Sequence, residues 1–350
     1  MYKRQLSSSP LPIGIVGLNF GRHILPHLQD PDVSRLFRLA AVCDLDASRR
    51  REWAARYQVS EYESLDALLE EPGIPVIGLF TPPKGRAALL RRIIRAGRDV
   101  MTTKPFELDS VAAREVLEEA ASLGRIIHLN SPAPRPTAVR RQIQEWEARH
   151  HLGRPVFCRG EATADYHEDA DGTWYDDPAL CPVAPIFRIG IYLINELTGL
   201  FGDVISTQVI ATHIRTGRPT PDNAQLSLEF ANGAIGSIFA SFCVGNGQFH
   251  ANSLLLHYER GTIQYNLDPA PFGQANKSSR LRLIATPPNH EEVMIEEWSG
   301  PGCIGDYQWS AFHDAISTRD LHSMPMKEIL RGIEVINAMI RSASTGMRPS

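Results

Sequence analysis

The chain has no apolar run approaching the ~20 residues that a membrane-spanning helix needs, which excludes a transmembrane protein of the helical kind. Its first stretch, Met1 to Pro12, carries two basic residues but lacks the apolar segment of a secretory signal. Cysteine is scarce. The five cysteines, Cys43, Cys158, Cys181, Cys243 and Cys303, are widely spaced and form no C-x-x-C pair. That pattern fits neither a disulfide framework nor a zinc site, so no metal is expected, and reduced thiols in a cytoplasmic protein are the default. Glycine (26) and proline (25) show no short repeat, which excludes a collagen-like chain.

Charge of one sign is also lacking. The net charge is −4. Residues 1–150 hold 22 Lys and Arg against 18 Asp and Glu, and residues 151–350 hold 14 against 22. So small a basic surplus excludes a nucleic-acid binder. It suits a half that holds a phosphorylated small molecule, and equally well a chance difference between two surfaces. With 350 residues, 43% of them hydrophobic and 22% charged, the chain is an ordinary globular one of about two domains, at ~100–200 residues each.

The first 130 residues alternate short apolar runs with helical patterns. Strands are predicted at Ile13–Val16, Leu39–Cys43, Val76–Phe80, Val100–Thr102 and Ile126–Leu129, and helices at about 22–29, 47–57, 64–70, 85–96 and 110–123. The strands read as nearly continuous apolar runs, which suits a parallel sheet covered on both faces. Repeated β-α units then give a doubly wound Rossmann sheet. A proline-rich stretch at 131–136 marks a junction, placing a first domain over 1–130 and a second over 131–350. The second is rich in strands, at 156–165, 204–213, 224–230, 235–243, 252–258, 262–267 and 280–285, with hairpin turns at Asn232-Gly233 and Arg260-Gly261. Helical segments at about 187–201 and 308–341 complete an α+β domain with a large, mostly antiparallel sheet. The fold class is α/β overall.

Four motifs could carry chemistry. Gly17-Leu18-Asn19-Phe20-Gly21 closes the first strand and opens a helix, where glycine permits the tight turn that a pyrophosphate needs. Asn19 stands where a middle glycine is usual, and Asn tolerates positive φ. Alone, the motif fits a plain strand–helix turn as well. Asp44 ends the second strand and could accept both hydroxyls of an adenosine ribose, favouring NAD. It could equally cap the next helix, as could Asp46 and Ser48, while Arg49, Arg50 and Arg51 would suit the 2′-phosphate of NADP. Thr81-Pro82-Pro83 ends the third strand and would wall the cofactor crevice, or simply stop a strand. Lys104, in Thr102-Thr103-Lys104-Pro105, sits at the carboxyl edge of the fourth strand, where a ligand would lie. A solvated surface lysine is the plain alternative.

In this order, G-x-N-x-G, C-D, T-P-P and T-K-P resemble the Gfo/Idh/MocA family of oxidoreductases. Leu152-Gly153-Arg154-Pro155-Val156 and Trp174-Tyr175-Asp176-Asp177-Pro178 continue the likeness, and Arg188–Asn195 is similar to that family's D-x-G-x-H-x-x-D helix. The resemblance covers residues 13–215 well and the later strands in outline. It implies an NAD(P)-dependent dehydrogenase acting on a sugar, polyol, cyclitol or sugar acid, with NAD slightly favoured. It also implies a homo-dimer or homo-tetramer, formed through the second sheet. Gly17, Asn19, Phe20, Gly21, Asp44, Thr81, Pro82, Lys104 and Asn130 would bind the cofactor. Lys104, Tyr192 and Arg188 would be catalytic, and His167 and Asn195 would join them around the substrate.

Arg188, Tyr192 and Asn195 share one helical face by their i, i+4, i+7 spacing. Several family positions are changed. Thr103 replaces a glutamate, Arg188 an aspartate, Tyr192 a histidine, Asn195 an aspartate, and Arg86 a histidine. Tyrosine and asparagine resemble the glucose–fructose oxidoreductase branch, where tyrosine is the acid/base. A tyrosine of ordinary pKa ~10 must be acidified to work near neutrality, and the cations Lys104 and Arg188 would do that. Arg188 could instead pair with a substrate carboxylate. Two other readings fit the same fold: a sensor of NAD(P) or sugar without turnover, and a redox-neutral NAD-dependent glycosidase.

Overall fold

The computed structural model describes residues 9–245, 247, 250–266, 278–286, 288, 292–301 and 307–345. Cys303, residue 267 and residues 1–8 lie outside them. The chain divides into two compact units, Met1–Arg135 with Tyr307–Met326, and Pro136–Asp306 with Lys327–Ser350.

The first unit is a six-stranded parallel sheet. Its strands are β1 (Leu11–Val16), β2 (Phe37–Cys43), β3 (Ser60–Tyr62), β4 (Val76–Leu79), β5 (Asp99–Thr102) and β6 (Ile127–Leu129), in the order β3-β2-β1-β4-β5-β6. The doubly wound order expected from the sequence is present. Strand order reverses between β1 and β4, the place where such sheets bind ligands at their carboxyl ends. β4 and β5 are buried along their whole length, which explains their unbroken apolar runs.

Two local expectations differ. The helix foreseen at 22–29 is broken into α1 (Leu18–Gly21), a 3₁₀ turn (Pro26–Gln29) and α2 (Pro31–Ser34). Proline inside a helix clashes with the preceding turn, so Pro26 and Pro31 each restart a new one. β3 escaped the sequence pattern because it is a three-residue edge strand with no buried side chain. Helices α3 (Ala47–Tyr57), α4 (Leu65–Leu69), α5 (Arg86–Arg95) and α6 (Ser110–Ser122) follow the expected places.

The second unit holds α7 (Ala138–His150), β7 (Pro155–Ala164), α8 (Ile191–Phe201), and β8 (Val204–Thr212), β9 (Asn223–Phe230), β10 (Ile235–Ser241), β11 (His250–Tyr258), β12 (Gly261–Tyr265), β13 (Ser278–Ala285) and β14 (Met294–Pro301). They form one eight-stranded sheet, β14-β13-β12-β11-β7-β10-β9-β8, antiparallel except between β7 and β10. Alternating burial along β9 and β13 shows one covered face and one open face. β14 was not foreseen, because its polar sequence M-I-E-E-W-S-G-P at a sheet edge shows no apolar run.

The expected cut at 130 also differs. Residues 307–326, with α9 (Trp309–Thr318), belong to the first unit, while α10 (Met326–Thr345) runs on into the second. Trp309, Phe312, Ala315 and Ile316 sit in the same apolar cluster as Ile13, Phe37 and Leu39. Arg319 after α9 bonds both carboxylate oxygens of Asp99 at 2.8 and 2.7 Å. No amount of local periodicity reveals such a return.

Candidate active site

At the switch point β1 runs into Gly17, whose φ is +86°. A Cβ there would lie 2.9 Å from the carbonyl carbon of Phe80 and 3.0 Å from its oxygen, so the crossing needs glycine. Phe20, in the following turn, packs on Phe80 with ring centroids 6.0 Å apart. Asp44 follows β2. Asp46, not Asp44, caps α3, accepting from the amides of Ser48 (2.9 Å) and Arg49 (3.1 Å). The Asp44 carboxylate instead accepts the Leu18 amide of the glycine loop at 2.7 Å and the Asp46 amide at 2.9 Å. Arg49 lies 3.4 Å from it, and Arg50 donates to the carbonyls of Asp44 and Leu45. Burial, then the charge of Asp44, push the neighbouring Cys43 thiol up to about 12, so it is an inert packing group.

Thr81 and Pro82 follow β4, and half-buried Lys104 lies between Thr103 and Pro105 beyond β5. Asn130, just past β6, is buried. Thr81 Oγ1 is buried and has no hydrogen-bond partner within the described residues. An orphaned hydroxyl beside a glycine-only crossing is what a cofactor would complete, since buried polar groups are otherwise almost always satisfied. Gly17, Asn19, Phe20, Gly21, Asp44, Thr81, Pro82, Lys104 and Asn130 thus all stand at the carboxyl ends of the strands of one sheet.

The second unit carries the other candidates. Residues Ile186–Gly190 form a π turn leading into α8, a geometry common at functional sites. Gly190 lets this turn settle over Ala240 of β10. Between Ile186 and Thr198 every residue is buried except Arg188 and Tyr192, which are half-buried. Asn195 is set deeper. It is 3% exposed, and its Oδ1 lies 2.6 Å from where a Cβ on Gly332 of α10 would be. The π turn interrupts the uniform 3.6-residue repeat between Arg188 and α8, within which Tyr192 and Asn195 keep their i, i+3 spacing.

Arg188 is held on every side. Its Nη1 and Nη2 donate to Glu168 at 2.7 and 2.8 Å. Its Cζ lies 4.6, 4.5 and 4.7 Å from the ring centres of Tyr166, Tyr175 and Phe242, a cation–π enclosure. Glu168 also accepts from Arg218 at 2.7 Å, and Arg218 bonds Asp171 (2.9 and 3.0 Å) and Asp176 (2.7 Å). Burial opposes the Arg188 charge, but Glu168 outweighs it and holds the pKa above the usual value. Tyr166 is hydrogen-bonded to His250 at 2.6 Å, and burial pushes its phenol up to about 12. Sequence reasoning missed Glu168, Tyr166, Tyr175, Arg218 and His250. It chose His167 between two of them, and that ring is mostly exposed, 3.3 Å from Asp165. The β7 alternation, continued past Ala164, was the one available signal that neighbours there face opposite ways.

Residues 11–131 match the oxidoreductase family's NAD-binding Rossmann fold, and residues 140–264 match the GFO/IDH/MocA C-terminal domain. The chain belongs to the Gfo/Idh/MocA family. Within that family, an uncharacterized oxidoreductase of Escherichia coli is 22% identical over 87% of this chain and 88% of its own length. An inositol 2-dehydrogenase of Rubrobacter xylanophilus is 24% identical over 65% of this chain and 63% of its own. A 3-ketoreductase from Actinomadura kijaniata, solved with NADP and TDP-benzene, shares the fold at a TM-score of 0.72 and 17% identity, covering 95% of this chain and 98% of that one. As a Gfo/Idh/MocA protein, the chain carries an NAD(P)-binding oxidoreductase fold. Among the described residues, no helix is long and apolar enough to cross a membrane, and no cluster of side chains could hold a metal.

Proposed function

We propose that this chain is a cytoplasmic NAD(P)-dependent dehydrogenase or reductase acting on a CH–OH carbon of a sugar, polyol or cyclitol. The observation that carries the reading is the switch-point geometry: a glycine-only crossing at Gly17, Asp44 bonded across to Leu18, and the orphaned hydroxyl of Thr81. The inositol 2-dehydrogenase relative and the NADP-bound 3-ketoreductase fold support the substrate class and the cofactor. Gly17, Asn19, Phe20, Gly21, Asp44, Thr81, Pro82, Lys104 and Asn130 hold the cofactor. The nicotinamide supplies the hydride chemistry when bound. Lys104 polarises the substrate oxygen, and Tyr192 gives or takes its proton. Glu168 fills the fork of Arg188, so a sugar acid gains no support from that residue, and Arg188 instead stiffens the turn that leads into the helix bearing Tyr192.

Arg188 and Tyr192, standing where the family usually has an aspartate and a histidine, favour a second reading, a sensor that binds cofactor without turnover. A panel of sugars, polyols, inositols and sugar acids with NAD(H) and NADP(H), followed at 340 nm, separates the two. The enzyme reading expects turnover that Tyr192→Phe lowers about 10²–10⁴-fold while cofactor binding persists. Full activity in Tyr192→Phe removes the tyrosine's role, and tight cofactor binding with no turnover across the panel favours the sensor. We also propose a homo-dimer or homo-tetramer. Ile210, Ile235 and Ile295, on β8, β10 and β14, are 72, 56 and 53% exposed, apolar side chains that a second copy packed on this sheet would cover. Light scattering checks the assembly.

A further inference from the structure

Arg86 opens α5 and is only 1% exposed, an unusual place for a guanidinium. Its Nη1 donates to the carbonyls of Thr103 (2.6 Å), Pro105 and Phe106 (3.2 Å), and its Nη2 donates to the carbonyl of Thr81. Thr103 and Pro105 are the two neighbours of Lys104. The hold is returned from the other side. Glu107 accepts the amides of Gly85 (3.1 Å) and Ala87 (2.8 Å), which flank Arg86 itself. The segments 85–87 and 103–107 are therefore locked in both directions, and Thr81, with its orphaned hydroxyl, is tied to the same guanidinium.

We infer that Arg86 is the positioning residue for Lys104: it holds the carbonyls of the two residues that flank that lysine, so the amine projects from a set point beside Thr81. This deepens the proposed function and rests on its reading of Lys104. The chemistry favours arginine here. A buried cation is tolerated only when its donors are used, and the planar fork reaches acceptors on two loops at once. A lysine ammonium is a point donor and cannot span them.

The test uses the full-length chain with Arg86→Met and Arg86→Lys, and three readouts. Amide hydrogen exchange should rise in segments 80–85 and 102–108 and stay unchanged in β1, β2 and α6. Acylation of Lys104 by an N-hydroxysuccinimide ester, scored against exposed Lys327 on the same chains, should change at least about threefold, with Lys327 constant. In the best substrate of the panel, kcat should fall about 10–100-fold with KM little changed, yet Arg86→Met should add less than about twofold to Lys104→Ala. Arg86→Lys should behave as Arg86→Met. If Arg86→Met does not fold, Arg86→Lys carries the same comparison. Unchanged exchange and labelling, or wild-type behaviour of Arg86→Lys, overturns the inference, as does an equal kcat loss with and without Lys104. Full activity in Lys104→Ala instead refutes the catalytic reading of Lys104, while exchange and labelling still judge the clamp.

Discussion

Glu168 accepts both terminal nitrogens of Arg188, at 2.7 and 2.8 Å, and so joins the loop after β7 to the π turn before Tyr192. Arg218 reaches Glu168 from the loop after β8, so one carboxylate holds two guanidiniums. Burial alone would raise the Glu168 pKa, but Arg188 and Arg218 outweigh it and hold it below the usual carboxylate range. A depressed acid stabilises the fold above its unfolded pKa, and that contribution fades as pH falls through the folded value. Glu168→Gln should therefore cost about 1–3 kcal/mol at pH 7 and progressively less below about pH 4. Urea unfolding at pH 7 and pH 3 checks it. A cost that stays constant with pH would mean that packing, and not charge, is what Glu168 supplies.

Glu196 on α8 shows the opposite behaviour. It is buried, and desolvation pushes its carboxyl up to about 7, with Arg140 pulling down and Glu328 pushing up. A raised acid favours the folded state at low pH and loses that benefit as pH rises through the folded pKa. Glu196→Gln should thus be more stable than the parent at pH 8, by about 2–4 kcal/mol, and the gain should vanish near pH 4. Melting curves across pH 4–8 decide it; a destabilised Glu196→Gln at pH 8 contradicts the argument.

Phe312 of α9 stacks on Phe37 of β2 with ring centroids 5.4 Å apart, and both are fully buried. Phe312→Ala should cost about 3–5 kcal/mol, because it removes apolar contact and leaves a cavity. If residues 307–326 were a dispensable tail, chemical denaturation would show no such loss.

Asp44 and Arg49 should split cofactor choice. Asp44→Ala should weaken NADH binding about tenfold and NADPH binding less, whereas Arg49→Ala should weaken NADPH more. Fluorescence titration of the bound nicotinamide measures both. Equal effects on the two cofactors would remove Asp44 and Arg49 from ribose recognition.

Much of the molecule was legible along the chain. Apolar runs such as Val76–Leu79 announce buried parallel strands, and Gly17, Asp44, Thr81 and Lys104 follow strand ends because ligands in such sheets gather there. The motifs also resembled the right family. What the linear pattern omitted falls into three kinds. Edge strands β3 and β14 carry polar residues and lack a core signature. The π turn at Ile186–Gly190 interrupts the uniform helical period that the sequence pattern assumes between Arg188 and α8.

The third kind concerns partners. Local pattern alone carries the doubly wound parallel sheet, the glycine crossing and the strand-rich second half, because backbone sterics and hydrophobic period act between near neighbours. The return of α9 to the first sheet, the capture of the Arg188 fork by Glu168 and the grip of Arg86 on the carbonyls around Lys104 all come from the three-dimensional fold. Those choices belong to groups far apart in the chain, and a side chain's type alone does not say which acceptor folding will bring within 3 Å of it.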